Sequence, residues 1–403
     1  MNPLLSGYAV ALGVVFLLWL GVSLFVLVTR VIYDVQLGFV RTARRLVEGR
    51  VESALADSAD VERTLSRLPR RTIERVGADT ATPPALAAAF AGHAAARSQP
   101  RLLAAAATHK NEVGKWRRIA ALRILARDGS YAVLPLLERA LGDADEDIVN
   151  AAATTLGEIP DERAAALLIA ALRQGGASRS RIATQLDEFP LDIGHLLLPL
   201  LRDWDSSVRY WSVKLLARYR TLRSLPVELA ALGGDDDPAV RAAVAETLGS
   251  VGGPAATSTA MALLDDPVPF VRAHAARALG AQGSPELAAL VARLLADEEW
   301  WVRAGAKRAL AQLGPEATEH VMPYLESPDA FARNGAAEVL QNTGVVDQLV
   351  RELIAGASSE LPRRVLHQVI EAGGDRFGEA MIARAGGGED RLRALLGHNE
   401  PEP

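Results

Sequence analysis

The sequence predicts an all-α fold, a right-handed α-solenoid of about nine helical hairpins preceded by a single transmembrane helix. Two observations carry the prediction. Residues 237–252 read Asp-Pro-Ala-Val-Arg-Ala-Ala-Val-Ala-Glu-Thr-Leu-Gly-Ser-Val-Gly, and the phrase resumes at Val271-Arg272 and at Val302-Arg303. A period of about 30 residues marks stacked hairpins, none of which buries its apolar face alone. At the other end of the chain, residues 2–29 hold no charged side chain.

That N-terminal run comes first. Leu4 to Thr29 is almost wholly apolar. As a helix rising about 1.5 Å per residue it exceeds a hydrocarbon core of about 30 Å. A cleaved signal peptide needs a basic start, a short apolar core and a small-x-small cleavage site. Here no Lys or Arg precedes the run, and the run is too long. Residues 1–30 therefore read as a retained single-pass anchor. Arg30, Arg41, Arg44, Arg45 and Arg50 follow it. The positive-inside bias then places the N-terminus outside the cell membrane and the repeats in the cytoplasm.

Residues 31–97 read as a juxtamembrane helix and hinge. Over 31–57, Val35, Leu37, Val40, Leu46, Val51 and Leu55 alternate with Arg and Glu. This is either a stalk continuing the membrane helix or a surface-lying or self-associating helix. The pattern is not a sustained heptad. Residues 58–84 are polar, with Pro69, Pro83 and Pro84, and predict a hinge with one short helix. Residues 85–110 are Ala-rich, predict a helix and join the first repeat.

The repeat domain spans 98–386, followed by a tail over 387–403. With the phrase Arg as reference, the register is Arg118, Val149, Arg179, Arg209, Arg241, Arg272, Arg303, Arg333 and Arg363, spaced 30–32 residues apart. Seven residues after each stands an apolar residue: Leu125, Leu156, Leu186, Leu216, Leu248, Leu279, Leu310, Leu340 and Ile370. Between phrases lies a second apolar helix, such as Ala288 to Leu295 or Thr318 to Leu325. Gly252, Gly283 and Gly314 fall where a helix C-cap needs positive φ.

Composition narrows the chemistry. Cysteine is absent, which excludes disulfides, thiolate catalysis and Cys-based metal sites. Four Lys stand against forty Arg, alongside abundant Ala, a bias matching a GC-rich bacterial genome. The net charge of −5 divides into +3 over the first 50 residues and −8 over the rest. An acidic solenoid is a poor binder of polyanions, which disfavours nucleic acid.

The phrase resembles the HEAT repeat, in the short bacterial form of phycobilisome-lyase-type proteins. Asp237, Pro238, Val240, Arg241, Leu248, Gly249 and Gly252 match the family pattern directly. Asp266, Pro267, Val271, Arg272, Ala276, Leu279, Gly280 and Gly283 match with a two-residue insertion before Val. Val149 replaces the Arg, and the repeat at Ser178 has lost its Asp-Pro start. The resemblance covers about 100–385 and implies the architecture, with a phrase helix lining the concave side. It also implies an Asp–Arg ladder between repeats. Asp145, Asp205, Asp237 and Asp329, with Glu299 in the same place, stand four before the Arg, where an Asp also caps a helix.

Candidate functional residues are those that vary between copies. The row five after the Arg points away from the core and includes Lys214, Arg277 and Arg308. It reads as a solvated face or as an ion-pairing groove. Phe270, Trp301 and Phe331 stand two before the Arg in three consecutive repeats, with Trp300 beside them and Tyr210 and Trp211 in an earlier copy. They read either as packing at helix starts or as exposed anchors for a protein partner, where Trp, Tyr and Arg dominate. No zinc-protease pair, phosphate loop or nucleophile elbow occurs in the sequence, and the seven His are scattered. The acidic runs at Asp143–Asp147 and Asp235–Asp237 lack the spacing of a calcium loop.

The leading expectation is a membrane-anchored scaffold that binds a membrane-associated protein partner at the cytoplasmic face, within an envelope or polysaccharide-synthesis complex. No cofactor, catalytic residue, metal or small-molecule substrate is expected. A bilin-lyase-like enzyme or chaperone and a nucleic-acid-binding repeat protein are the alternatives.

Overall fold

The computed structural model describes residues 58–108, 112–175, 178–219, 227–355, 360–383 and 389–396. The predicted anchor, the stretch 31–57 and residues 397–403 lie outside the described residues. Among the described residues every regular element is an α- or 3-10 helix, and no helix is long and apolar enough to cross a membrane. The chain divides between Ile159 and Pro160 into two compact units, where the sequence reads one repeat domain.

The first unit contains α1 (Ser58–Ser66), α2 (Arg70–Ala78), α3 (Pro84–Ala107), α4 (Glu112–Arg127), α5 (Leu134–Leu141) and α6 (Glu146–Gly157). The expected hinge with one short helix over 58–84 is instead two helices, with α2 packed on α3 and α4. The prolines misled because they start helices rather than break them. Pro69 caps α2, and Pro83 and Pro84 open α3, where a missing N–H leaves no bond unmade. Leu65, Ile73, Val76, Leu86 and Phe90 are buried, so this segment shares the core of the first repeat. The boundary drawn at 97/98 falls inside α3. There Ser98 leaves helical geometry (φ −147°), two residues before Pro100, whose ring and absent donor interrupt the helical ladder.

The second unit contains α7 (Glu162–Gln174), α8 (Arg179–Asp187), α9 (Ser206–Leu216), α10 (Pro238–Val251), α11 (Pro254–Leu263), α12 (Pro269–Gln282), α13 (Trp300–Leu313), α14 (Ala330–Asn342), α15 (Val345–Ile354), α16 (Glu360–Gly373), α17 (Asp375–Ala383) and α18 (Glu389–Leu396). All nine reference positions lie in helices, two of them in α4 and α6. Successive phrase helices pack in series, α9 on α10, α10 on α12, α12 on α13, α13 on α14 and α14 on α16. The apolar residue seven after each reference is buried throughout, from Leu125 to Ile370. Gly252 and Gly283 end α10 and α12 with φ of 69° and 68°, which a side chain would strain.

Two expectations shift. The intervening helices are short: Ala288–Ala292 and Thr318–Val321 each pass into a 3-10 turn, Arg293–Ala296 and Met322–Glu326. In the second, Pro323 removes the donor that an α-helix would need. Residues 389–396 of the predicted tail form α18, which packs on α15 and α16 with Leu392 buried and Arg393 2.8 Å from Glu379.

The Asp–Arg ladder is built from a different aspartate than the capping one. Asp145, Asp205, Asp237 and Asp329 cap their own helices by accepting the N–H two residues on. Glu299, in the same place, makes no such bond. The ladder uses the Asp six before the next Arg. Arg209 holds Asp235 with bonds of 2.7 and 2.8 Å, Arg241 holds Asp266 at 2.6 and 2.9 Å, and Arg272 holds Asp297 at 2.8 and 2.9 Å. Arg118 reaches Asp143 at 2.6 Å in the first unit. Asp266 is thus the equivalent of Asp235, and the repeat at Arg272 has no insertion; it has lost its cap, with Val268 in the capping place.

Arg179 departs from this order and takes Asp205 at 2.5 Å, leaving Asp203 to Arg173. The two acidic runs are engaged in the same way, Asp143 by Arg118, Asp145 and Asp147 by Lys115, and Asp235 by Arg209.

Burial alone would raise the carboxyls of Asp235, Asp266 and Asp297, but their Arg partners and backbone N–H donors hold them below the ordinary value. Two histidines move the other way in effect. Burial, then Arg97, lowers His93 against the pull of Glu62; burial, then Arg277, lowers His274, with Glu246 opposing and Lys214 assisting. The folded chain therefore refuses protons that the unfolded chain takes up near 6.5. Above that pH the two histidines leave stability unchanged, and below it stability falls. The ladder carboxylates add a second loss below about pH 4. Melting temperatures should drop between pH 7.5 and 5.5. A flat profile over that interval, or one unchanged by His274→Gln, would contradict the assignment.

Candidate partner-binding surface

Phe270, Trp301 and Phe331 lie at the second residue of their helices and Trp300 at the first, just after the turns that carry the ladder position. Phe270 opens α12, Trp300 and Trp301 open α13, and Phe331 opens α14. At a helix start the side chain of this residue is free to leave the core, since the buried stripe begins with the next residue. That residue is Val271, Val302 and Ala332 in turn, each fully buried. Phe270, Trp301, Phe331 and Trp300 are 41, 40, 64 and 66% exposed, so none is enclosed in the core. Trp300 and Trp301 meet edge to face at 5.7 Å, a favoured geometry for paired rings.

The row five after the Arg lies on the same stripe of each helix, because seven residues bring the helix back to within about 20°. Phe270 is therefore in line with Arg277, and Trp301 with Arg308, about 10 Å further along the axis. Arg308 is exposed. Arg277 is half-buried and donates to the Ala273 carbonyl at 3.3 Å. Lys214 is already engaged, its ammonium 2.8 Å from Glu246 of the next repeat. Lys307 and Glu338 pair likewise. The row is thus partly an internal ion-pair strip, as a solvated face would be.

Tyr210 and Trp211 stand apart from this edge. They lie past the first turn of α9, half-buried, packed against each other edge to face at 5.2 Å. The structure sets Phe331 against Arg303, a residue that the spacing assigns to the ladder alone, while Trp300 and Trp301 pair with each other three and two residues before it on α13. The Arg303 guanidinium lies 4.6 Å from the centre of the Phe331 ring. The signal was present in the sequence: Ser327 stands where Asp235, Asp266 and Asp297 stand. Trp204 is 86% exposed in the turn before α9, where its carbonyl accepts from Arg209.

A separate cleft of about 700 Å³ opens at the opposite ends of α10 and α12, lined by Gly252, Thr257, Met261 and Gln282 among others. In it Thr257 donates to the Gln282 amide oxygen at 2.5 Å, while the Gln282 amide nitrogen is buried with no hydrogen-bond partner.

A protein-family model described as HEAT repeats matches residues 99–186, 195–280 and 257–341, more than half of the chain. No curated protein matches the sequence. Among solved structures, an engineered protein is 18% identical, with 82% of this chain and 100% of that chain covered at a TM-score of 0.36. The CpcE–CpcF complex of phycocyanin lyase from a Nostoc species is 22% identical over 52% of this chain and 95% of that chain, at 0.32. Kap121p is 14% identical over 86% of this chain and 47% of that chain, at 0.45.

Proposed function

The chain belongs to the HEAT-repeat family, and we propose that it is a membrane-tethered scaffold whose repeats bind a protein partner. Stacked helical repeats present an extended surface for binding, and what that surface recognises is set by the side chains it carries. The observation that carries the reading is the exposed aromatic edge, one large ring at the same helix position in three consecutive repeats. Large rings cost solvation when left in water, and they recur at the centres of protein interfaces.

The tether rests on the sequence: an uncharged run over 4–29 followed by five arginines before residue 51. A tether confines the repeats to a thin layer and raises the effective concentration of a partner in the same membrane. The orientation is N-terminus outside, repeats in the cytoplasm, with an envelope or polysaccharide-synthesis complex as the setting. The acidic balance of the remaining chain fits a protein partner better than nucleic acid.

The test uses full-length protein expressed in cells. It should sediment with membranes and resist carbonate extraction, while a chain starting at residue 31 should not. Protease added to spheroplasts should spare the repeats. A photo-crosslinker at Trp301 should yield a discrete membrane-associated adduct that disappears when Trp300 and Phe331 are both replaced by Ala. Full-length protein in the soluble fraction would refute the tether; adducts indifferent to those replacements would refute the surface.

A further inference from the structure

We infer that Arg303 is an interrupted rung of the ladder, held open for a side-chain carboxylate of a partner peptide, with Phe331, Trp300 and Trp301 receiving its apolar neighbour. The inference rests on the scaffold reading above and names what that surface recognises.

The ladder sets the geometry. In the three consecutive rungs before Arg303 the Arg Nη1 donates to the carbonyl six residues back, at 2.9 Å for Arg209, 2.7 Å for Arg241 and 2.9 Å for Arg272. That anchor aims Nε and Nη2 at the next repeat, where both meet one carboxylate. Arg303 is anchored in the same way, its Nη1 2.6 Å from the Asp297 carbonyl and 2.9 Å from that of Glu298. The next repeat presents Ser327, whose hydroxyl accepts from the Asp329 N–H at 3.2 Å and takes over only the turn-closing half of the aspartate's work. Among the described residues no carboxylate pairs with Arg303.

Phe331 does not use up what is left. A ring stacked on a guanidinium takes its face, whereas the N–H bonds lie in its plane and point outward at the edge. The Nε and Nη2 pair is a fork matched to one carboxylate, and an Arg already fixed in place loses little freedom on binding it. Charge agrees: Arg308 is exposed along the same helix, and Arg333 is anchored on the Ser327 and Pro328 carbonyls. An acidic residue next to an apolar one is the segment that fits, because Phe331 lies against the guanidinium and the exposed Trp300 and Trp301 precede it on the same helix as Arg303.

The probe is a phage-displayed library of random dodecapeptides panned on the full-length protein. Arg303→Gln removes the fork and should fold, because no aspartate takes its hydrogen bonds from Arg303 and Asp297 keeps both of those from Arg272. Ser327→Asp fills the rung from within, so it should raise the melting temperature while closing the site. Recovered peptides should be enriched in Asp or Glu beside an aromatic or aliphatic residue, and should bind both variants at least tenfold more weakly than the parent. Peptides without that enrichment, peptides that bind Ser327→Asp as well as the parent, or a library that yields no binder would each overturn the inference. Peptides that bind elsewhere on the repeats would do so while leaving the scaffold reading intact; loss of the membrane and crosslinking results described above would remove that reading itself.

Discussion

Replacing Arg272 with Ala should destabilise the second unit by about 3 kcal/mol, because it strands a buried carboxylate. The Asp297 side chain is only 7% exposed, and Arg272 supplies both hydrogen bonds on its far side. For a unit of this size that loss lowers the melting temperature by roughly 6–12 °C. The comparison with Arg303→Ala separates the ladder from the general cost of losing an arginine. Arg303 has no aspartate to strand, so its replacement should cost well under half as much. Differential scanning calorimetry of both variants decides the matter. Equal shifts would mean that the bond to the preceding carbonyls, which both arginines make, is the dominant contribution.

The second large effect is expected at Gly280. A Cβ there would stand 2.5 Å from the Ala309 Cα and 2.7 Å from its Cβ, so α12 and α13 could not keep their spacing. The obstacle is backbone, which cannot rotate aside as a side-chain tip would. Gly280→Val should cost about 3 kcal/mol, at the upper end for overpacking. Gly249 gives the control. A Cβ there meets the Ala278 Cα at 3.2 Å, a contact that a small adjustment relieves. Alanine also gains about 1 kcal/mol of helix propensity over glycine, so Gly249→Ala should be close to neutral. A Gly280→Val chain melting like the parent would show that the helix spacing is softer than the packing implies.

The sequence carried the repeat and the core because both depend on periodicity, and each Leu seven after the reference is buried for that reason. It misread 58–84 because prolines at helix starts look like prolines in a hinge until the buried Leu65, Ile73 and Val76 show what the segment packs on. It merged the two aspartates of the turn because four and six residues before the Arg differ only in which repeat they serve. Asp237 caps its own helix while Asp235 holds Arg209 of the repeat before, and nothing local to the turn distinguishes them. Exposure of the aromatics was the open question at the sequence level. A ring at the second position of a helix can turn inward or outward with the same spacing, and only the packed Val302 beside Trp301 fixes the choice.

The offset between cap and ladder also bears on how such a chain changes length. Each repeat ends by reaching into its successor and begins by receiving its predecessor, so a copy is defined by phase and not by a boundary. Across the run from Arg209 to Asp297, a whole period can be duplicated or lost, cut at any point, and each arginine still finds an aspartate. Ser327 ends that run of like joints, and it marks one position in a chain whose neighbouring rungs repeat the same bond.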